Sequence, residues 1–294
     1  MCIRDRNDAQ GRYIEFCKSS YTDLDLNGLS ILLDCANGAT YSVAPKVFSE
    51  LGAKVETIGS SPDGININQN CGSTNPDFLK EEIIKGSYDL GIAFDGDGDR
   101  ILIVNSEGDI LDGDDILYIL SNNLPADSGV VGTLMTNKAL EIYFEKNDIP
   151  FLRADVGDKY VLQRLLEESW VLGGEPSGHI ICLDSAPTGD AIIAALNLLN
   201  AIKHNNFSVK KSLEGFQKFP QTLINLKVNN PNKIIVSDKF WSEVTRIEKQ
   251  LGQNGRVLIR PSGTEPLIRI MVESDKSGAW HDFCNALADF ADSI

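Results

Sequence analysis

The sequence predicts an α/β protein made of two similar mixed-sheet α/β domains followed by a smaller α+β C-terminal domain. Three observations carry this. The chain has 294 residues, room for about two or three compact domains. From Leu29 to about Ser106, and again from Val130 to Leu183, short β-rich runs alternate with helical ones, the pattern of sheets covered by helices. After Asp190–Ile202 the alternation stops and a strand, a long amphipathic helix, two strands and a terminal helix follow.

Taken in order, residues 1–27 read as a linker with a short helix. Domain 28–106 opens with a strand at Ile31–Asp34, a helix near Tyr41–Leu51 and a strand at Lys54–Ile58. A helix near Asp77–Ile84 and a strand at Asp89–Phe94 complete the alternation, which by itself predicts a parallel sheet. Domain 107–212 repeats the scheme, with strands at Val130–Met135, Phe151–Ala154, Trp170–Gly173 and Ile180–Leu183. Its helices fall near Ala139–Lys146, Tyr160–Glu168 and Asp190–Ile202. Domain 213–294 takes a strand around Leu223–Val228, a helix at Ser237–Leu251, strands flanking Arg260–Pro266, and a helix at Ser277–Ala291.

Composition narrows the function. Hydrophobic residues are 42% and charged residues 23%, ordinary globular usage rather than that of a disordered chain. The formal charge is -15, the wrong sign for neutralising a phosphate backbone, so neither nucleic acid nor an anionic membrane surface is an expected partner. The most apolar stretch, Ala191–Ile202, is broken by Asn197 and Asn200 and falls short of the roughly 20 residues that span a bilayer. Residues 1–7 carry Arg4, Asp5 and Arg6 with no apolar run behind them, unlike a secretory signal; the expected location is cytoplasmic. Six scattered cysteines without a CxxC pair read as reduced, mostly buried small hydrophobes.

The segment Phe94-Asp95-Gly96-Asp97-Gly98-Asp99-Arg100 leaves one apolar strand and enters another, Ile101–Val104. Carboxylates at alternate positions converge only if the chain curls, which the glycines permit. Convergence without a cation would raise their pKa values by repulsion, and hard oxygen ligands suit Mg²⁺. Between Asp95 and Asp115 there are eight acids and one base, a local charge that favours a cation. A calcium-binding EF-hand loop starting at Asp95 would need Gly at its sixth and Glu at its twelfth position, where Arg100 and Ser106 stand. An aspartate-nucleophile phosphatase also follows a buried strand, but Asp99 is out of place there; a plain acidic turn does not explain the strict alternation ending in Arg100.

Two further loops carry polar groups. Gly173-Gly174-Glu175-Pro176-Ser177-Gly178-His179 could grip vicinal sugar hydroxyls through Glu175 and Ser177. His179 could act as a general acid or base, since an unperturbed imidazole titrates near 6.5; a tight hairpin with incidental polar residues is the competing reading. In Arg260-Pro261-Ser262-Gly263-Thr264-Glu265-Pro266 the planar fork of Arg260 matches phosphate. Ser262, Thr264 and the turn's N–H groups could form an anion nest, with Arg269 assisting; an ordinary turn explains these residues nearly as well. A cation loop, a hydroxyl loop and an anion nest together describe phosphoryl transfer on a sugar phosphate.

With GRYIEFCK (11–18), DCANGAT (34–40), DGININ with GSTNP (63–76), AFDGDGDR (93–100), VGDKYV (156–161), GGEPSGH (173–179) and RPSGTEPLIRIMVE (260–273), the chain resembles the α-D-phosphohexomutases. Within them it is most like the bacterial phosphoglucosamine mutases. The resemblance implies conversion of glucosamine 6-phosphate to glucosamine 1-phosphate through a hexosamine 1,6-bisphosphate, on the route to UDP-N-acetylglucosamine and peptidoglycan. It implies Mg²⁺ on Asp95, Asp97 and Asp99, with Arg100 stabilising the transferring phosphoryl group and His179 at the reacting end. Glu175 and Ser177 would take sugar hydroxyls, while Arg260, Ser262, Gly263, Thr264 and Arg269 would take the other phosphate. The partner is then a small sugar phosphate, with oligomeric state left open, a homodimer included. Glucose or mannose phosphate specificity and a non-catalytic sugar-phosphate binding module are the alternatives. Family members also carry an N-terminal domain with a phosphorylated serine in a Thr-Ala-Ser-His-Asn-Pro-like loop. That loop does not occur in these 294 residues, so the expectation is a truncated chain that is inactive alone.

Overall fold

The computed structural model describes residues 8–228, 230–261, 266–276 and 278–293. In chain order the elements are α1 (Ala9–Ser19), β1 (Ser30–Asp34), α2 (Ala44–Glu50), β2 (Lys54–Ile58), α3 (Asp77–Lys85), β3 (Leu90–Phe94), β4 (Ile101–Asn105) and β5 (Ile110–Leu111). There follow α4 (Gly113–Ser121), β6 (Val130–Thr133), α5 (Lys138–Lys146), β7 (Phe151–Ala154), α6 (Asp158–Glu168), β8 (Leu172–Gly174), β9 (Ile180–Cys182) and α7 (Ala191–Ile202). The chain ends with α8 (Val209–Ser212), β10 (Gln221–Lys227), α9 (Pro231–Ile235), α10 (Asp238–Leu251), β11 (Gly255–Pro261), β12 (Leu267–Ser274) and α11 (Ala279–Asp292).

These elements form two compact units: residues 1–136 with 144–215, and residues 137–143 with 216–294. The first unit holds two sheets. One has strand order β2-β1-β3-β4-β5 and the other β7-β6-β8-β9. In the first sheet β2, β1 and β3 are parallel, but β4 pairs antiparallel with β3 and β5 antiparallel with β4. The alternation of strands and helices alone predicts a parallel sheet; the chain reverses because the six residues between Phe94 and Ile101 are a turn too short for a crossover. The second sheet repeats the design, with β9 antiparallel on β8.

Leu32, Ala93, Leu102 and Val104 of the first sheet pack on Leu79 and Ile83 of α3. Val131, Ala154 and Ile181 of the second pack on Val161 and Leu165 of α6. Helix α7 contacts β4 of one sheet, β9 of the other, and α4. Its residues are buried apart from the partly exposed Asn197, Asn200 and Ala201, which is why its sequence shows no polar stripe. Burying a leucine or isoleucine side chain contributes about 1.5–3 kcal/mol, so this helix is a main cohesive element of the unit.

The second unit is a three-stranded antiparallel sheet, order β10-β12-β11. One face, with Val257, Ile268, Ile270 and Val272, packs on Phe240, Val244 and Ile247 of α10 and Cys284, Leu287 and Ala291 of α11. On the strands' other residues Arg256 pairs with the fully buried Glu273, Nε to Oε1 at 2.8 Å. The same Oε1 accepts the Lys138 N–H at 3.0 Å.

Among the described residues Cys17, Cys35, Cys71, Cys182 and Cys284 are free and buried. Burial pushes the thiols of Cys17, Cys35 and Cys182 up to about 12 and that of Cys284 to about 11, as their reading as small hydrophobes requires. No helix among the described residues is long and apolar enough to cross a membrane.

Candidate functional site

The turn between β3 and β4 is held by its own first acid. Asp95 Oδ1 accepts the N–H groups of Gly98, Asp99 and Arg100, each at 3.1 Å, and Asp95 N–H reaches Arg100 O at 3.3 Å. Gly98 makes the reversal with φ +80°, a region closed to most side chains. The curl brings one oxygen from each of Asp95, Asp97 and Asp99 within 4.8 Å of one another. Asp95 is buried, and burial raises its carboxyl above the usual range against the opposing Arg100 N–H. Arg100 lies beside the group, its Nε 3.8 Å from Asp95 and 3.9 Å from Asp99.

Three convergent oxygens match the donor chemistry of Mg²⁺. Asp99 Oδ1 is moreover buried without a hydrogen-bond partner among the described residues, a costly state for a carboxylate that a cation would relieve. The residues therefore fit the ion. The wider acidic count overstates the cluster, because other acids of 95–115 have structural work. Asp112 and Asp115 form the capping box of α4, Glu107 pairs with Lys210 at 2.8 Å, and Asp109 accepts from the Asn105 side chain at 3.0 Å.

The loop after β8 is joined directly to this turn. Ile101 N–H donates to Gly178 O at 3.0 Å, and Arg100 and His179 form an isolated antiparallel bridge. His179, 4% exposed, places Nδ1 3.2 Å from Asp99 Oδ2; its Nε2 is buried without a partner among the described residues. A Cβ on Gly178 would stand 2.0 Å from Ile101 O, and one on Gly113 1.9 Å from Glu175 O, so both positions require glycine for close backbone approach. Glu175 is buried and one oxygen accepts Gly157 N–H at 2.9 Å, whereas Ser177 is exposed at the tip of the turn.

A third segment, absent from the sequence reading as a site, completes the assembly. Ala191 N–H donates to Gly98 O at 3.0 Å. Gly189 lies so close to His179 that a Cβ there would meet Nε2 at 2.1 Å. Asp190 caps α7 by accepting the Ile192 and Ile193 N–H groups, both at 3.0 Å, and receives the Tyr13 hydroxyl at 2.8–2.9 Å. Burial, then the Asp190 carboxylate, raises the Tyr13 phenol far above its ordinary range. Asp34 of DCANGAT is a second unforeseen staple: it is buried and accepts Gly72 N–H at 2.7 Å and Ala36 N–H at 3.0 Å. Burial raises its carboxyl, opposed by those two N–H groups. The only sequence signals for these were an aspartate ending a strand and one preceding an apolar helix.

In the second unit Arg260 stands directly opposite Arg269 in the β11–β12 ladder, and Arg269 is opposite Asn225 of β10. Like charges facing across a ladder destabilise it by up to about 1 kcal/mol. Ser262, Gly263 and Thr264 lie outside the described residues.

Three models of the phosphoglucomutase/phosphomannomutase family match the chain: α/β/α domain II over residues 11–108, α/β/α domain III over 112–219 and the C-terminal domain over 223–290. The phosphoglucosamine mutase of Pseudomonas aeruginosa is 48% identical over 293 residues, 98% of this chain and 66% of that protein. That of Acinetobacter baumannii is 53% identical, over 91% of this chain and 61% of its own length. The chain thus spans just under two thirds of the curated relatives it matches. Among solved structures, Aspergillus fumigatus N-acetylphosphoglucosamine mutase in complex with GlcNAc-6P and magnesium superposes with a TM-score of 0.80. Identity is 19%, covering 98% of this chain and 66% of that one. A phosphoglucomutase/phosphomannomutase family protein from Burkholderia thailandensis gives 0.80 at 22% identity, covering 98% and 65%. At these identities the likeness is one of fold.

Proposed function

The chain belongs to the phosphoglucomutase/phosphomannomutase family, and from that we propose that it is the metal- and substrate-holding part of a phosphoglucosamine mutase. That enzyme is an isomerase interconverting glucosamine 6-phosphate and glucosamine 1-phosphate through a 1,6-bisphosphate, in the cytoplasm. The observation that carries the proposal is the junction of two loops, in which Asp99 both joins the carboxylate triad and pairs with His179 of the GGEPSGH loop at 3.2 Å. A cation held there lies next to whatever the second loop binds.

Asp95, Asp97 and Asp99 would hold Mg²⁺, which supplies positive charge against the charge developing on a transferring phosphoryl group. Arg100, 44% exposed, keeps donors available to the same group. Buried Glu175 has one oxygen fixed by Gly157 N–H, which orients the carboxylate toward a sugar hydroxyl, and exposed Ser177 adds a second partner. His179 is positioned by Asp99 and can hold or give a proton at Nε2. Arg260 and Arg269 would bind the phosphate that does not react, with Ser262, Gly263 and Thr264 completing that anchor.

A phosphorylated serine loop of the family type is not among these residues, so a polypeptide of 294 residues is expected to bind sugar phosphate without turning it over. The test joins this sequence to the serine-bearing domain of a relative and assays glucosamine, glucose and mannose phosphates with Mg²⁺ and a hexose 1,6-bisphosphate. The expected result is preference for glucosamine phosphate and a loss of at least about 100-fold in kcat for Asp97→Asn, the scale of removing a charge-stabilising group. Preference for glucose or mannose phosphate would overturn the specificity; activity indifferent to Asp97→Asn would overturn the metal assignment.

A further inference from the structure

We propose that Tyr13 and Asp190 are positioning residues for the carboxylate loop, acting through the first turn of α7; the inference rests on the reading of Asp95, Asp97 and Asp99 as cation ligands. The connection is continuous in hydrogen bonds. The Tyr13 hydroxyl donates to the Asp190 carboxylate at 2.8–2.9 Å, and Asp190 Oδ1 fixes the Ile192 and Ile193 N–H groups at 3.0 Å. The amide just before them in that turn, Ala191 N–H, holds Gly98 O at 3.0 Å. Gly98 is the left-handed pivot of the loop, φ +80°, and its own N–H is bound to Asp95. Its neighbours on either side are Asp97 and Asp99.

The geometry gives this chain of contacts a role beyond attaching α1. Three carboxylates repel one another, and bonds to the loop's backbone help it resist spreading. Asp95 supplies three from within; from outside, Ala39 N–H holds Gly96 O at 2.8 Å and Ala191 N–H holds Gly98 O at 3.0 Å, each at a residue between two ligands. The Ala191 bond is as firm as the helix that offers it, and α7 is buried along most of its length. What remains adjustable is the helix's first turn, which Asp190 sets and Tyr13 sets in place. Tyr13, Asp97, Gly98, Asp99 and Asp190 all border one cleft of about 330 Å³, so the relay lies along the wall beside the ligand oxygens. Partners that orient ligands typically change metal affinity about 10–100-fold when removed.

The experiment measures Mn²⁺ affinity of the 294-residue chain by electron paramagnetic resonance, well below the unfolding temperature, for the unsubstituted protein and Tyr13→Phe, Asp190→Ala and Asp190→Asn. Phe144→Leu serves as the stability control; it thins the packing of buried Phe144 on Phe151, 5.2 Å between centroids, which takes no part in the relay. Expected are about tenfold weaker binding for Tyr13→Phe, a larger loss for Asp190→Ala, and partial rescue by Asp190→Asn, since asparagine also caps helices well. The control should lose stability and keep affinity. Unchanged affinity in Tyr13→Phe and Asp190→Ala overturns the proposal while leaving the ligand assignment intact. Affinity that merely follows stability across all variants, control included, overturns it as well. No Mn²⁺ binding by the unsubstituted chain overturns the ligand assignment itself, and the proposal with it.

Discussion

The carboxylate loop of the first unit and the arginine ladder of the second gather like charge by opposite means. In the loop, Asp95 spends one oxygen on three backbone N–H groups, and the curl so formed brings Asp97 and Asp99 to it. In the ladder, Arg260 and Arg269 face each other because strand register puts them there, while the hydrophobic packing of the sheet's other face on α10 and α11 holds that register. A loop that shapes itself with its own ligand is sensitive to every atom against it; a ladder whose geometry is fixed elsewhere loses only the charge that is removed.

Substitutions should separate the two. The largest effect is expected for Gly178→Ala, where a methyl would sit 2.0 Å from Ile101 O at φ +91°. Strain and overpacking together cost on the order of 3 kcal/mol, and the methyl pushes the two loops apart. Chemical denaturation should show the lost stability together with weaker Mn²⁺ binding; wild-type values for both would mean that the loops are not pressed together here. Next comes Arg260→Met in the restored enzyme. Losing charged hydrogen bonds to phosphate, about 1.5–3 kcal/mol, should raise KM for the sugar phosphate about 10–100-fold while Mn²⁺ affinity stays as it was. A fall in metal affinity would remove the contrast between the regions.

The smallest effect concerns pH. Asp34 has its carboxyl raised by burial, so the folded state favours its protonated form. Its stabilising contribution is full below the ordinary carboxylate range near 4 and is lost as pH rises through the raised value. The stability of the wild type relative to Asp34→Asn should therefore improve as pH is lowered from 7 toward 4.5, read from paired thermal melts. An improvement on raising pH instead would mean that the two N–H donors outweigh burial.

Much of this was legible in the sequence, for identifiable reasons. Alternation of strand and helix sufficed for the two α/β sheets, and Asp-Gly-Asp-Gly-Asp announced a curl because the intervening glycines let alternate carboxylates converge. The direction of β4 was hidden, since periodicity says nothing about polarity; the length of the turn before it does. His179 was visible as a residue, but its pairing with Asp99 joins positions eighty apart that no local pattern relates. Tyr13 and Asp190 are further apart still, and each has an unremarkable local explanation, a helical aromatic and an N-cap. The acidic run 95–115 misled by count, because capping aspartates look like ligand aspartates until a helix is seen to start beside them.

The stitch between the sheets, Ile101 N–H to Gly178 O beside the Arg100–His179 bridge, has a consequence for cooperativity. Two layers that periodicity divides into separate domains share α7 and exchange backbone hydrogen bonds through the very loops that carry the chemistry. Opening one layer at this point therefore breaks a bond of the other's loop, which ties their local openings together. The Ile101 amide, whose bond crosses the two layers, is expected to exchange with solvent more slowly than the amides of 98–100, which bond only to Asp95 within their own loop.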